Sequence, residues 1–366
     1  MELTFLGPVY ARPGPYACAY LDTSRDIPAP EAAINLRRRH LRENLARQGA
    51  DNTTVAVVAD AAGMDREVSG RHGQAIFASH GRLALVEELP DPPVHDTARF
   101  GALPDVMPLV VQHAPDIPYA AAAVHRVPRS EAGKPEELEV DFQSGRWPSS
   151  RVTPGIRHHR SGPAAEWPCA AAEIAGELAE LVHRGGAEVV VLGGDVWARN
   201  VLVNRLPEPL RERAVTVAGD GHVAGEGRAL LEQELSNVFQ GRMRARDQAQ
   251  VETFRARRSR HTGAGEGMAA VVAALQRGQA SALLLNTPVE LPMRLWAGSE
   301  PTQMALSAAD LESFGVLDFH EEPPGAVLMR ALVRTDAETV VVEREELPLE
   351  NGVGVLLRYT GSGVSR

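Results

Sequence analysis

Glu188-Val-Val-Val-Leu-Gly-Gly-Asp195 joins an unbroken apolar run to two glycines and a carboxylate. A short apolar run without alternation suits a strand buried on both faces. Gly193 and Gly194 turn the chain, and Asp195 stands where a helix near Trp197 to Leu206 needs a cap. The C-terminal edge of a sheet also binds ligands, so a catalytic reading of Asp195 stands beside the capping one. Upstream, Ala170 to Arg184 places Ile174, Leu178, Leu181 and Val182 on one helical face, and Gly185-Gly186 ends it. Downstream, Ala214 to Ala218 reads as another strand. Strand–helix–strand order with short connections predicts an α/β domain with parallel pairing.

Two strands, Tyr119 to His125 and near Leu138 to Phe142, open this domain. A long basic loop, residues 143–168, follows; Pro148, Pro154, Pro163 and Pro168 keep it from being a helix. No acid occurs from Phe142 to Ala165, whereas four arginines, two histidines and Trp147 do, with Trp167 just beyond. Guanidinium groups neutralise phosphate, and tryptophan or histidine rings stack on unpaired bases. Arg146, Trp147, Arg151, Arg157, His158, His159 and Arg160 are therefore the candidate RNA-binding residues. The competing reading is a surface loop of accidental composition. With four prolines and no apolar periodicity, the loop is expected to be poorly ordered in the free protein.

On the N-terminal side, Tyr16 to Asp22 alternates like a strand, and Pro30 to Gln48 reads as a helix crowded with arginines. Thr54 to Asp60 reads as a buried strand, and residues 74–79 and 82–87 as a hairpin around His80-Gly81. On the C-terminal side, one helix is expected from about Arg228 to Arg260. Two helix–turn–strand units follow, Gly267 to Leu285 and Ala326 to Val342, with a closing strand from Gly352 to Tyr359. The stretch 288–322 between them reads as an excursion. Arg37 and Arg38 on the first helix, and Arg255 and Arg258 on the long one, are possible additional RNA contacts. Asp247 and Glu252 can instead pair with arginines of the long helix. The expected domains are 1–115, 116–240 with the basic loop, and 262–366, joined by a linking helix at 241–261.

The 366 residues carry a net charge of −10, which argues against a duplex-DNA-coating protein. Glu300 to Glu350 holds 12 acids against Arg330, Arg334 and Arg344, so this end suits a protein partner better than RNA. No apolar run reaches the roughly 18–20 residues of a membrane span, and no secretory signal is legible. Two cysteines, Cys18 and Cys169, are too few for a disulfide framework or a cysteine-rich zinc site, which suggests a cytoplasmic protein. No G-x-S-x-G elbow, Walker A sequence or H-x-x-x-H spacing occurs, so no catalytic residue, metal or cofactor is expected. The glycines of Ala218-Gly-Asp-Gly-His-Val-Ala-Gly225 make an imperfect dinucleotide fingerprint, since Asp220 and Glu226 would repel a pyrophosphate.

The order of elements resembles the bacterial branch of the archaeo-eukaryotic class I peptide-chain release factors, which includes actinobacterial ribosome-hibernation factors of the Balon type. The likeness rests on Val189-Val-Val-Leu-Gly-Gly-Asp195, Leu206-Pro-Glu-Pro-Leu-Arg-Glu-Arg213 and Gly267 to Leu285. Tyr20-Leu-Asp-Thr-Ser24 and Gly73-Gln-Ala-Ile-Phe77 add to it. It implies a three-domain, tRNA-mimicking α/β (α+β) architecture, with an RNase H-like middle domain and an L7Ae-like C-terminal domain. It also implies the 70S ribosome as partner, through 23S and 16S rRNA, and elongation factor EF-Tu on the acidic C-terminal domain. Release factors carry Gly-Gly-Gln at the tip of the long loop; here residues 143–160 contain none. The stop-codon motifs Asn-Ile-Lys-Ser and Tyr-x-Cys-x-x-x-Phe are missing as well. The resemblance therefore implies an A-site-occupying hibernation factor without peptide-release chemistry. The alternative is a peptidyl-tRNA hydrolase that rescues stalled ribosomes, for which Gln143 is the only glutamine in the loop.

Overall fold

A computed structural model describes residues 1–127, 136–153, 157–217 and 232–359. The class is mixed α/β, with four sheets among the described residues. The chain forms two compact units: Met1–Ala114 together with Arg246–Arg366, and Pro115–Ala245.

The Pro115–Ala245 unit is built on a five-stranded sheet. Its order is Arg157–Pro163, Glu137–Trp147, Ile117–Val127, Val189–Gly194, Ala214–Thr216. The last three strands run parallel and the first two pair antiparallel. Ile117–Val127 is central, and Ala120 to Ala123 let both layers approach it closely. Ala120, Ala122 and Val124 face the helices Trp167–Gly185 and Val196–Arg205, whose Ile174, Leu178 and Leu202 complete one core. Ile117, Tyr119, Ala121 and Ala123 face the other way, against Leu235, Val238 and Phe239 of Glu232–Phe239. The alternation of side chains along a strand produces this division.

The second unit combines both ends of the chain. Its antiparallel sheet has the order Arg82–Leu89, Gly73–Ser79, Tyr16–Asp22, Thr97–Gly101. Ala17, Ala19 and Leu21 pack under the helices Pro30–Arg47 and Asn52–Ala61. Tyr16, Cys18 and Tyr20 face a larger core shared with Val327, Leu328 and Leu332 of Pro324–Thr335. The two helix–strand units appear as expected: Met268–Gln276 leads to Ala280–Thr287, and Pro324–Thr335 to Glu338–Glu343, the two strands pairing in parallel.

Several expectations are corrected. Thr54 to Asp60 is helical, within Asn52–Ala61. Asp51 accepts a hydrogen bond from the Thr54 amide at 2.9 Å, and Val55, Val58 and Ala59 bury one face, which outweighs the strand preference of a β-branched run. The long helix from Arg228 is broken in its described part, into Glu232–Phe239 and Ala245–Ser259, with Gly241 at φ +67° between them. The excursion at 288–322 carries its own three-stranded sheet, Met304–Ala305, Leu295–Gly298, Phe319–Glu322. Part of the basic segment lies in strands: Glu137–Trp147 pairs with Arg157–Pro163 from Glu137↔Pro163 to Gln143↔Arg157. Prolines exclude a helix interior but neither an edge strand nor a first helical turn: Pro163 sits at the last position of the edge strand, and Pro168 in the first turn of Trp167–Gly185. Pro154 and the glycines of Gly219 to Gly225 lie outside the described residues.

Candidate nucleic-acid interface

The hairpin arm of Glu137–Trp147 and Arg157–Pro163 carries the candidate residues. Arg157–Pro163 is the outermost strand, so one row of its backbone groups is not paired within the sheet. His158 and Arg160 lie opposite Phe142 and Val140, on the face packed by Trp167–Gly185. His159 lies opposite Asp141, on the other face.

These positions differ in what they offer. His158 is exposed. His159 is half-exposed, and its Nδ1 stands 3.0 Å from the buried Asp141 carboxylate, which orients the ring. Arg160 donates to Glu177 at 2.5 Å and Glu173 at 2.6 Å. The Glu173 hydrogen bond is the main reason its pKa is raised. Arg146 forms a fork with Asp116, with Nε and Nη2 each 2.5 Å from a carboxylate oxygen. Arg151 lies over the Trp147 ring, 5.9 Å from its centroid. Arg157 opens the edge strand.

Trp147 corrects the picture of an open stacking platform. It is buried and stacks on Phe239, with centroids 5.3 Å apart and planes 18° apart. Its ring belongs to the core on that face, whereas His158 and His159 are exposed. Gln143 is likewise fully buried and donates to the Tyr119 hydroxyl at 2.8 Å. Tyr119 in turn donates to Ser150 at 3.0 Å. This polar row, invisible to a search for charged residues, anchors the base of the arm.

The additional arginines are held by acids or carbonyls. Arg37 bridges Asp22 and Asp96 at 2.7 and 3.1 Å. Arg38 donates to the Ala62 carbonyl at 2.6 Å. Arg255 donates to the Glu346 carbonyl at 2.7 Å, and Arg258 lies over the Phe254 ring with Glu266 3.4 Å away. All four belong to the other unit.

The Gly193-Gly194-Asp195 turn resolves as a cap. Asp195 accepts from the Ala198 amide at 2.9 Å, and Arg126 pairs with it at 3.1 Å. Gly194 has φ +87°, and a Cβ there would lie 1.9 Å from the Val124 carbonyl oxygen, so only glycine fits. Among the described residues no group of three or more His, Cys, Asp or Glu side chains could hold a metal ion. No described helix is long and apolar enough to cross a membrane.

Residues 118–260 match the family model of bacterial archaeo-eukaryotic release factor family 2. The matched segment, which holds the five-stranded sheet, the basic hairpin and the Asp195 turn, is similar to that family. Over 378 aligned residues the chain is 26% identical to "Uncharacterized protein Rv2629" of Mycobacterium tuberculosis (strain ATCC 25618 / H37Rv), spanning 96% of this chain and 95% of that one. Among solved structures, archaeal Pelota in a ribosome-bound model with ABCE1 is 13% identical, covering 98% of this chain and 94% of that chain, with a TM-score of 0.39. Archaeoglobus fulgidus Pelota is 12% identical, covering 80% and 86%, with a TM-score of 0.37.

Proposed function

We propose that this chain is a cytoplasmic ribosome-binding factor that occupies the A site of idle 70S ribosomes and performs no peptide-release chemistry. The observation that carries the proposal is a release-factor-family middle domain whose basic arm lacks Gly-Gly-Gln. The arm keeps the means to bind RNA. His158 is exposed, His159 is oriented by Asp141, and no acid interrupts residues 142–165. Arg151, Arg157 and Arg160 add guanidinium groups for rRNA phosphates, Arg160 by exchanging its Glu173 and Glu177 partners. In this reading the arm points towards 23S rRNA at the peptidyl-transferase centre, and the N-terminal domain, residues 1–115, towards 16S rRNA at the decoding centre. The acid-rich domain at 262–366 faces a protein, and a delivering translational GTPase such as EF-Tu fits that charge. Ribosome rescue by hydrolysis is disfavoured because Gln143 is buried and committed to Tyr119.

Sedimentation with vacant 70S ribosomes at moderate salt tests the proposal. The expected result is co-sedimentation that falls steeply with added salt, with no release of peptide from stalled peptidyl-tRNA complexes. Failure to co-sediment overturns it, and peptide release would replace it with the rescue reading.

A further inference from the structure

A cavity of about 720 Å³ opens in the unit built from both chain ends, between the segments Tyr10 to Tyr16, Ala102 to Pro104, Gly298 to Pro301 and the helix Pro324–Thr335. Three guanidinium groups line it: Arg12, Arg330 and Arg334. Arg330 is only 8% exposed. Its Nη1 donates to the Gly298 carbonyl at 2.9 Å, which fixes the fork. Its Nε and Nη2 have no hydrogen-bond partner among the described residues. The Tyr10 hydroxyl, also lining the cavity and buried, has none there either. Arg12 and Arg334 make no side-chain ion pair or hydrogen bond among the described residues.

Such an arrangement is costly among these protein groups alone. A buried charge without a carboxylate loses hydration and gains little in return. Burial pulls the Arg330 guanidinium below its ordinary pKa, while the nearby phenol of Tyr10 and the carboxylates of Glu322 and Glu300 oppose that only partly. Glu322 is engaged elsewhere, by Arg99 and by His320 at 3.3 Å. Among the described residues that line the cavity, Glu300 is the one acid, against three arginines. Arg330 and Arg334 come from the acid-rich stretch Glu300 to Glu350, so their convergence on the cavity is not a by-product of composition.

We propose that this cavity binds a small phosphate-bearing anion, held by Arg330 at its floor and by Arg12 and Arg334 nearer its mouth. The donor count selects phosphate. A carboxylate's two oxygens are filled by one guanidinium fork, whereas this cavity offers two orphan donors of Arg330, two free forks and a phenol. A phosphate monoester has three terminal oxygens and about two negative charges to meet them. The burial of Arg330 restricts the ligand to a free or terminal phosphate small enough to enter.

Isothermal titration calorimetry of the full chain with inorganic phosphate, and with acetate as comparator, tests this. Phosphate should bind saturably and more tightly than acetate. Arg334→Gln, an exposed change that leaves the fold intact, should weaken phosphate binding about tenfold, and Tyr10→Phe several-fold. Arg330→Gln should abolish it, with a melting curve taken on the same sample to verify folding. Absence of saturable phosphate binding overturns the proposal. So does equal affinity for acetate, or an unchanged constant in Arg334→Gln. The outcome is independent of whether the chain binds ribosomes.

Discussion

At the scale of single residues, charge and close packing set the strongest constraints. Asp65 lies in a buried network: its carboxylate accepts from Thr23 at 2.7 Å and lies 3.0 Å from His72 Nε2, with Arg25 3.5 Å away. Burial alone would raise its pKa, but the hydrogen bonds from His72 and Thr23 and the Arg25 charge outweigh that, and the net shift is downward. A carboxyl depressed in the folded state stabilises the fold fully above its unfolded pKa of about 3.9 and loses that contribution as pH falls through the lower folded value. Asp65→Asn should therefore cost about 2–4 kcal/mol in urea denaturation at neutral pH, and the deficit should shrink as pH drops below about 4. A constant deficit from neutral to strongly acidic pH would contradict the assigned role of the charge. Gly194→Ala should be at least as damaging, by about 3 kcal/mol or more, because its Cβ would meet the Val124 carbonyl. A melting temperature within a degree or so of the parent would show that the turn relaxes freely.

At the scale of elements, the hairpin arm separates binding from stability. The Arg160 pairs with Glu173 and Glu177 are surface pairs, each worth under about 1 kcal/mol. The triple variant Arg151→Ala, Arg157→Ala, Arg160→Ala should thus melt close to the parent. Its ribosome affinity should fall, with a salt slope shallower by about one for every phosphate that is no longer neutralised. Unchanged affinity in a normally folded variant would move binding to another surface, such as the arginine-rich helix Ala245–Ser259. Trp147→Ala should behave in the opposite way. Its stack on Phe239 lies in the core, so thermal stability should drop, by about 3–5 kcal/mol, before any effect on RNA is read. These elements differ in how far the sequence makes them legible. The Glu188 to Asp195 stretch announces its strand, turn and cap because each step has a local cause: an apolar run, a glycine at φ +87°, a capping carboxylate. Asn52–Ala61 passes for a strand because valine and threonine favour strands, and the Asp51 cap carries little weight beside them. The arm passes for a loop because prolines and arginines hide a pairing whose partner strand lies 14 to 26 residues away, Gln143↔Arg157 to Glu137↔Pro163. Trp147 looks like a base platform because its partner, Phe239, lies in a different element and no local pattern announces the contact.

At the scale of the whole molecule, the least legible feature is the union of Met1–Ala114 with Arg246–Arg366. It depends on contacts between residues more than two hundred positions apart, such as Arg99 with Glu322 and Arg246 with Glu2. No periodicity encodes such pairs. Charge does survive at this scale: basic residues concentrate on the arm and acids on the segment from Glu300 to Glu350. On the proposed function the two ends meet different partners, RNA and protein, and salt should weaken both. Cryo-electron microscopy of vacant 70S ribosomes incubated with the chain measures this most directly. Density for the chain is expected in the A site, with the hairpin end beyond Trp147 against 23S rRNA near the peptidyl-transferase centre. Ribosomes that bind the chain at a site other than the A site, or with the hairpin turned to solvent, would contradict it.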